Sequence, residues 1–127
     1  MAYTHDRTID AAFDDVDARV RTALAARGFG VLTEIDVKAT LKTKIGADMD
    51  AYRILGACNP SMAHKALQLE PRAGAMLPCN VILRAVDGGV EVSAIDPVVS
   101  MQGIGNAALG SIAADVRTLL IEAVEAA

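Results

Sequence analysis

Two cysteines, each followed directly by an asparagine, are the residues of this sequence best suited to chemistry. A thiol acts as a nucleophile or a metal ligand once it is deprotonated, and an asparagine amide both donates and accepts hydrogen bonds. Prolines flank the two motifs on opposite sides, and an aspartate ends a predicted strand further along the chain. The candidate ligand-binding residues are Cys58, Asn59, Pro60, Pro78, Cys79, Asn80 and Asp96.

The surroundings of Cys58 support two interpretations. Asn59 is a preferred helix N-cap and Pro60 suits the first helical position, so Cys58 is predicted to lie just before a helix N-terminus. The helix dipole there can stabilise a thiolate. However, cysteine is also one of the most buried residue types, and the neighbouring Leu55 and Ala57 favour a packed strand end. A reactive thiolate and a packed thiol therefore remain alternatives.

A metal site or a redox pair would require the two cysteines to meet. Met62, His64 and Met101 add further ligands for a thiolate-preferring metal, but no Cys-x-x-Cys or paired-histidine spacing holds them together. If residues 52–86 form a right-handed crossover between parallel strands, the two thiols lie on the order of 20 Å apart. They could share a site only if the second strand runs the other way or a partner subunit supplies one cysteine. We predict no metal and no cofactor.

Hydrophobic periodicity predicts the elements that position these residues, in the order βαββαββα. Asp10 is predicted to cap the first helix, and Gly28 to end it. Residues 38–50 break the pattern and are predicted to form one helical turn and a loop, and the stretch that follows Asp96-Pro97, through Met101 and Gly103 to Gly105, is predicted to be flexible. The predicted strands are residues 3–9, 29–37, 52–57, 76–86 and 90–95, and the predicted helices are residues 11–27, 60–69 and about 106–126.

This incomplete alternation favours an α+β fold, with a mostly antiparallel sheet and helices packed on one face, over a doubly wound parallel sheet. The turn at residues 87–89 predicts a hairpin between the last two strands, because its glycines tolerate positive φ. Lys38, Lys42 and Lys44 form either a solvated face or a rim that attracts an anionic ligand.

Composition limits the class of protein. A chain of 127 residues is expected to form a single domain (residues 1–127) that needs no metal or disulfide to hold its core. Aromatic residues make up only 3% of the chain and its net charge is -4, which argues against a nucleic-acid partner. Residues 1–10 are polar and no apolar run reaches transmembrane length, so we expect no membrane association. We predict a cytoplasmic protein with reduced cysteines.

A pattern that includes both Cys-Asn dipeptides runs through the sequence as Leu55-Gly56-Ala57-Cys58-Asn59-Pro60, Ala63, Ala66-Leu67, Leu77-Pro78-Cys79-Asn80-Val81, and the stretch from Gly89-Val90 to Asp96-Pro97. This pattern resembles that of a family of small bacterial and archaeal proteins known as domain of unknown function family 302. The resemblance covers nearly the whole chain and implies an α+β domain of the kind grouped with TATA-binding-protein-like folds. It also implies a dimer, and it brings no established activity.

Two hypotheses for function follow. The first is a non-catalytic module that binds a small ligand or a partner in a crevice near the two Cys-Asn motifs, because the asparagines offer hydrogen bonds without an acid–base pair. The second is a thiol-dependent protein of sulfur or redox metabolism that uses Cys58. We also predict a homodimer through the uncovered sheet face, since 53% of the residues are hydrophobic and the mean hydropathy is +0.34.

Overall fold

A five-stranded antiparallel sheet, with strand order β1-β5-β4-β3-β2, forms the centre of the computed structural model, which describes residues 2–127. Each strand pairs only with antiparallel neighbours. The predicted hairpin is confirmed, since Val86 pairs with Gly89 and both Gly88 and Gly89 have positive φ. The strands are β1 (Thr4–Ile9), β2 (Gly30–Asp36), β3 (Tyr52–Cys58), β4 (Cys79–Val86) and β5 (Gly89–Ile95).

In the described part of the chain, residues 2–127, five α-helices connect and follow the strands. The short α4 is followed by a 3-10 helix at Gln102–Ile104, and another 3-10 helix at Pro71–Met76 leads into β4. No helix among residues 2–127 is long and apolar enough to cross a membrane. The helices are α1 (Phe13–Ala25), α2 (Val37–Ile45), α3 (Pro60–Leu69), α4 (Pro97–Ser100) and α5 (Ala107–Ala126).

The main core lies between one face of the sheet and helices α1 and α5. Alternate residues of β4, among them Val81 and Leu83, point into this core, as do Val16 of α1 and Leu120 of α5. Intervening residues such as Asn80 point to the other sheet face. This arrangement confirms the predicted α+β fold with a mostly antiparallel sheet.

Three local predictions are wrong. Residues 37–45 form the complete helix α2, which has no buried residue and therefore lacks the apolar stripe that would have indicated it. Ala12, and not Asp10, is the N-cap of α1, and no side chain caps that end. The stretch before α5 contains α4 and a 3-10 helix, because Asp96 accepts a hydrogen bond from the Val98 amide and starts a helical turn.

An ion-pair cluster joins α1 to the edge of the sheet. Asp17 accepts hydrogen bonds from Arg21 at 2.7 Å and from Arg53 of β3 at 2.9 Å. Glu34 of β2 lies 3.0 Å from Arg21 and 3.3 Å from Arg53. Burial acts to raise the pKa of Asp17, but the hydrogen bonds from the two arginines outweigh it and hold the pKa below its ordinary value.

Candidate functional site

The two cysteines meet where β3 ends and β4 begins. In the β3–β4 register, Ala57 lies directly opposite Cys79, so Cys58 is one residue from the pairing partner of the second cysteine. The condition for a separation of a strand length, a parallel crossover, is not met, because β4 runs antiparallel to β3 and the alternative in which the second strand runs the other way applies. An antiparallel neighbour begins at the end of the sheet where the previous strand stops, which brings the two Cys-Asn motifs to the same end.

Cys58 and Cys79 are both lining residues of one small cavity of about 30 Å³. The cavity lies where the main core meets a second buried cluster that contains Ala66, Met101, Leu109 and Ala113. Its walls are almost entirely apolar. The lining residues are Phe29, Ala57, Cys58, Asn59, Met62, Ala63, Ala66, Leu77, Pro78, Cys79, Pro97, Met101, Ile112, Ala113 and Val116.

Four of the seven predicted site residues line this cavity, namely Cys58, Asn59, Pro78 and Cys79. The other three lie elsewhere. Pro60 is exposed in the first turn of α3, and Asn80 is exposed on the opposite sheet face, where it borders a separate, wide hollow. Asp96 caps α4, and its Oδ2 atom lies 3.3 Å from Nε of Arg117. The structure therefore separates the two asparagines that the sequence suggested for one crevice.

Asn59 has the structural role that its position before Pro60 predicts. Its Oδ1 atom accepts a hydrogen bond from the Met62 amide at 3.3 Å and caps α3. Its Nδ2 atom lies beside Gly28, where an added Cβ would approach it to 3.2 Å. Asn59 thus connects the start of α3 to the turn before β2, and its side-chain oxygen is already used by the helix.

Gly56 of β3 leaves space for the ring of Pro78. A Cβ added at Gly56 would lie 2.6 Å from Cγ of Pro78 and 2.0 Å from Oγ1 of Thr33. Such distances are far below van der Waals contact, so this position in β3 accepts no side chain while its neighbours remain where they are. Gly56 therefore allows Pro78 to close the cavity at the start of β4.

The two thiols differ in their surroundings. Cys79 is only 6% exposed, and burial, together with the nearby Cys58, raises the pKa of its thiol to about 11. Cys79 is therefore a neutral thiol at pH 7. Cys58 is half-buried, and both cysteines are free. Within residues 2–127, no three histidine, cysteine or carboxylate side chains come together as a metal-binding group.

Two further cavity residues, Met62 and Met101, are possible metal ligands by sequence, but the sequence does not indicate where their side chains lie. Met62 of α3 and the buried Met101 after α4 both line the cavity. His64, considered together with them, is exposed on α3 and does not line the cavity. Helical spacing could have separated Met62 from His64, because side chains two residues apart do not share a helix face. No local signal indicates Met101, since α4 and its loop reach the cavity only through tertiary packing.

Comparisons with known proteins identify relatives but no activity. None of the curated proteins matches this chain. A crystal structure described as an uncharacterized conserved protein DUF302 from Bacillus stearothermophilus has a TM-score of 0.92 and is 25% identical in sequence, and the match covers 98% of each chain. The family model described as domain of unknown function DUF302 matches residues 5–127. The resemblance suggested by the two Cys-Asn motifs is therefore confirmed, and this chain belongs to the DUF302 family.

Proposed function

We propose that this protein is a non-catalytic binding domain that takes a small thiophilic ligand into the cavity beside Cys58 and Cys79. One observation carries the proposal: two cysteines that are 21 positions apart in the sequence line the same apolar cavity. Pockets that bind drug-sized molecules measure roughly 300–1,000 Å³. A cavity of about 30 Å³ instead suits a ligand of one or two heavy atoms.

The absence of an acid–base pair favours binding over catalysis. Among the cavity-lining residues, the only groups that can ionise are the thiols of Cys58 and Cys79. General acid–base catalysis needs a group that is poised to exchange a proton near the working pH. The raised pKa of Cys79 makes it a poor candidate for that role. Both thiols must be reduced to accept a thiophile, which agrees with the predicted cytoplasmic location.

The alternative is a thiol-dependent redox protein that uses Cys58. Its support is the position of Cys58 directly before Asn59, the N-cap of α3, and the presence of a second cysteine, Cys79, opposite the preceding residue Ala57 in the neighbouring strand. Such a protein would pass through a disulfide between the two cysteines. The binding proposal requires no such bond and no turnover.

Methylmercury, with only two heavy atoms, is a suitable probe for the binding proposal. Added to the reduced protein, one equivalent should protect Cys58 from iodoacetamide and raise the midpoint of thermal unfolding. A ligand at 100 times its dissociation constant adds about 2.7 kcal/mol to the free energy of unfolding. The effect should disappear in Ala113→Leu, because Ala113 is 1% exposed and its enlarged side chain would fill the cavity.

The matched control is Ala114→Leu, the next residue of α5, which is exposed and does not line the cavity. This variant should bind methylmercury as the wild-type protein does. Equal stabilisation of both leucine variants would move the site away from the cavity. Repeated consumption of hydrogen peroxide in the presence of an added dithiol, which reduces a Cys58–Cys79 disulfide back to two thiols after each cycle, would instead support the redox alternative.

The proposal includes a homodimer formed through the uncovered sheet face. On this face the apolar side chains of Ile82 and Ile95 lie beside Arg84, Glu91 and Asp6, around a hollow of about 800 Å³. A twofold axis lets the same patch meet itself, with charges of each sign facing their opposites. A second copy of this chain is therefore the partner that fits a surface carrying both apolar residues and both signs of charge.

A further inference from the structure

Helix α2 lacks the packing that normally stabilises a helix of its length. None of its nine residues is buried, although a helix this short depends on tertiary contacts for most of its stability. Val37, Leu41 and Ile45 are spaced four residues apart and form one apolar stripe. Ile45, at the end of this stripe, is 74% exposed. The stripe is therefore only partly covered by the rest of the chain.

Positive charge is concentrated on the same helix. Three of the four lysines of the chain lie on α2, and Lys38 and Lys42, one turn apart, share a face with Ile45. Lys42 pairs with Asp48 at 2.8 Å, although both side chains are exposed, and Lys38 forms no ion pair within residues 2–127. Because two like charges one turn apart repel each other, this face of α2 favours an anionic partner.

Three isoleucines form a continuous apolar row across the uncovered sheet face. Ile35 of β2 pairs with Ile54 of β3, and Ile54 pairs with Ile82 of β4, so the three side chains share one face. We name these residues the isoleucine row. A twofold axis that runs parallel to the strands and passes over Ile54 places Ile82 of each copy over Ile35 of the other. The isoleucine row is therefore complementary to itself.

Three charged side chains lie beside the isoleucine row on the same sheet face. Asp6 of β1, Arg84 of β4 and Glu91 of β5 border the hollow of about 800 Å³, and we name them the charged patch. Arg84 and Glu91 pair at 2.8 Å, whereas Asp6 forms no ion pair in the described part of the chain, residues 2–127. Two carboxylates and one guanidinium leave the charged patch with an excess of one negative charge, which is opposite in sign to α2.

We propose that the two copies of the homodimer meet through their isoleucine rows, so that α2 of each copy covers the charged patch of the other and places Lys38 and Lys42 beside Asp6. This inference rests on the proposed function and names the part of the second copy that occupies the hollow. An apolar centre with charge pairs at its rim is the usual plan of a protein interface.

The strand order brings these surfaces together. The isoleucine row lies on β4, β3 and β2, with β5 and β1 on one side of it. On the other side, β2 leads directly into α2, which contacts β2 and β3. The twofold axis over Ile54 exchanges the two sides, and α2 of one copy therefore faces β5 and β1 of the other.

A charge-swap cycle tests the inference. Sedimentation equilibrium of the full chain measures the dimer dissociation constant, at low ionic strength where exposed charges are least screened. Lys38→Glu and Asp6→Lys should each raise this constant on the order of tenfold, because every dimer contains the contact twice. The combined variant restores opposite charges and should return the constant to within about twofold of the wild-type value.

Matched variants separate the possible outcomes. Lys65→Glu changes an exposed lysine on α3 and should leave the dimer unchanged. Ile35→Lys should split the dimer, whereas Leu69→Lys should not, although these two residues are 47% and 42% exposed. If both single charge variants dimerise like the wild-type protein, or if the combined variant stays as weak as they are, α2 does not cover the charged patch although the homodimer stands. A wild-type monomer at micromolar concentration would overturn both proposals.

Discussion

Replacement of Asn59 by alanine tests how the candidate cavity is built. The change removes the Oδ1 atom of Asn59, which accepts a hydrogen bond from the Met62 amide at 3.3 Å. It also removes the Nδ2 atom of Asn59, which lies beside Gly28. Loss of an asparagine N-cap costs typically about 1 kcal/mol. The hydrogen bond is long, which argues for a cost no larger than this typical value. We therefore expect the free energy of unfolding to fall by about 1 kcal/mol.

Urea denaturation followed by circular dichroism measures this change, and an unaltered slope against urea shows that the unfolded reference state is the same. Thermal unfolding should give a matching decrease of about 4 °C in the midpoint temperature for a domain of this size. Asn59→Asp retains an oxygen acceptor at the helix N-terminus and should recover most of the lost stability.

Asn80→Ala is the matched control from the other Cys-Asn motif. Asn80 is exposed on the open sheet face, so its replacement should change the free energy of unfolding by less than about 0.5 kcal/mol. The reasoning is refuted if Asn59→Ala melts like the wild-type protein, or if both asparagine variants lose the same stability. Either result would mean that the N-cap does not hold the cavity wall at the start of α3.

Further predictions concern charge, thiols, packing and assembly. Asp17→Asn should lower the free energy of unfolding by about 1–3 kcal/mol at neutral pH. Because the pKa of Asp17 is lowered in the folded state, the stability that its carboxylate contributes is lost as the pH falls. Urea melts should therefore show the stability difference between the wild-type protein and the variant shrinking below about pH 4. Iodoacetamide at pH 8 should label Cys58 well before Cys79, whose pKa burial raises to about 11, and mass spectrometry of the peptides would show any reverse order. Gly56→Ala should destabilise the protein by more than about 1 kcal/mol in urea melts, because its Cβ would overlap Thr33 and Pro78, and an unchanged melt would contradict that packing. Sedimentation at micromolar concentration should show a dimer that Ile82→Lys splits, and a wild-type monomer would exclude the open face as the contact.

Local patterns in the sequence determined most of the elements. The apolar stripe of α5, the Asn59-Pro60 start of α3 and the glycine turn between β4 and β5 depend on residues a few positions apart, so their physical causes are visible in the sequence. Helix α2 was missed because it buries nothing, and burial is what produces a periodic pattern. The separation of Asn80 from Cys79 could also have been predicted, since neighbouring residues of a strand point to opposite faces.

Only the tertiary structure decided which chemical groups meet. Whether β4 runs parallel or antiparallel to β3 depends on how the segment between them packs, and this choice alone either separates Cys58 and Cys79 or brings them to one cavity. Met101 reaches the same place because α4 folds back against α5, which no pattern near residue 101 indicates. A sequence pattern records local geometry and burial, whereas a site assembled from distant segments depends on how those segments pack together.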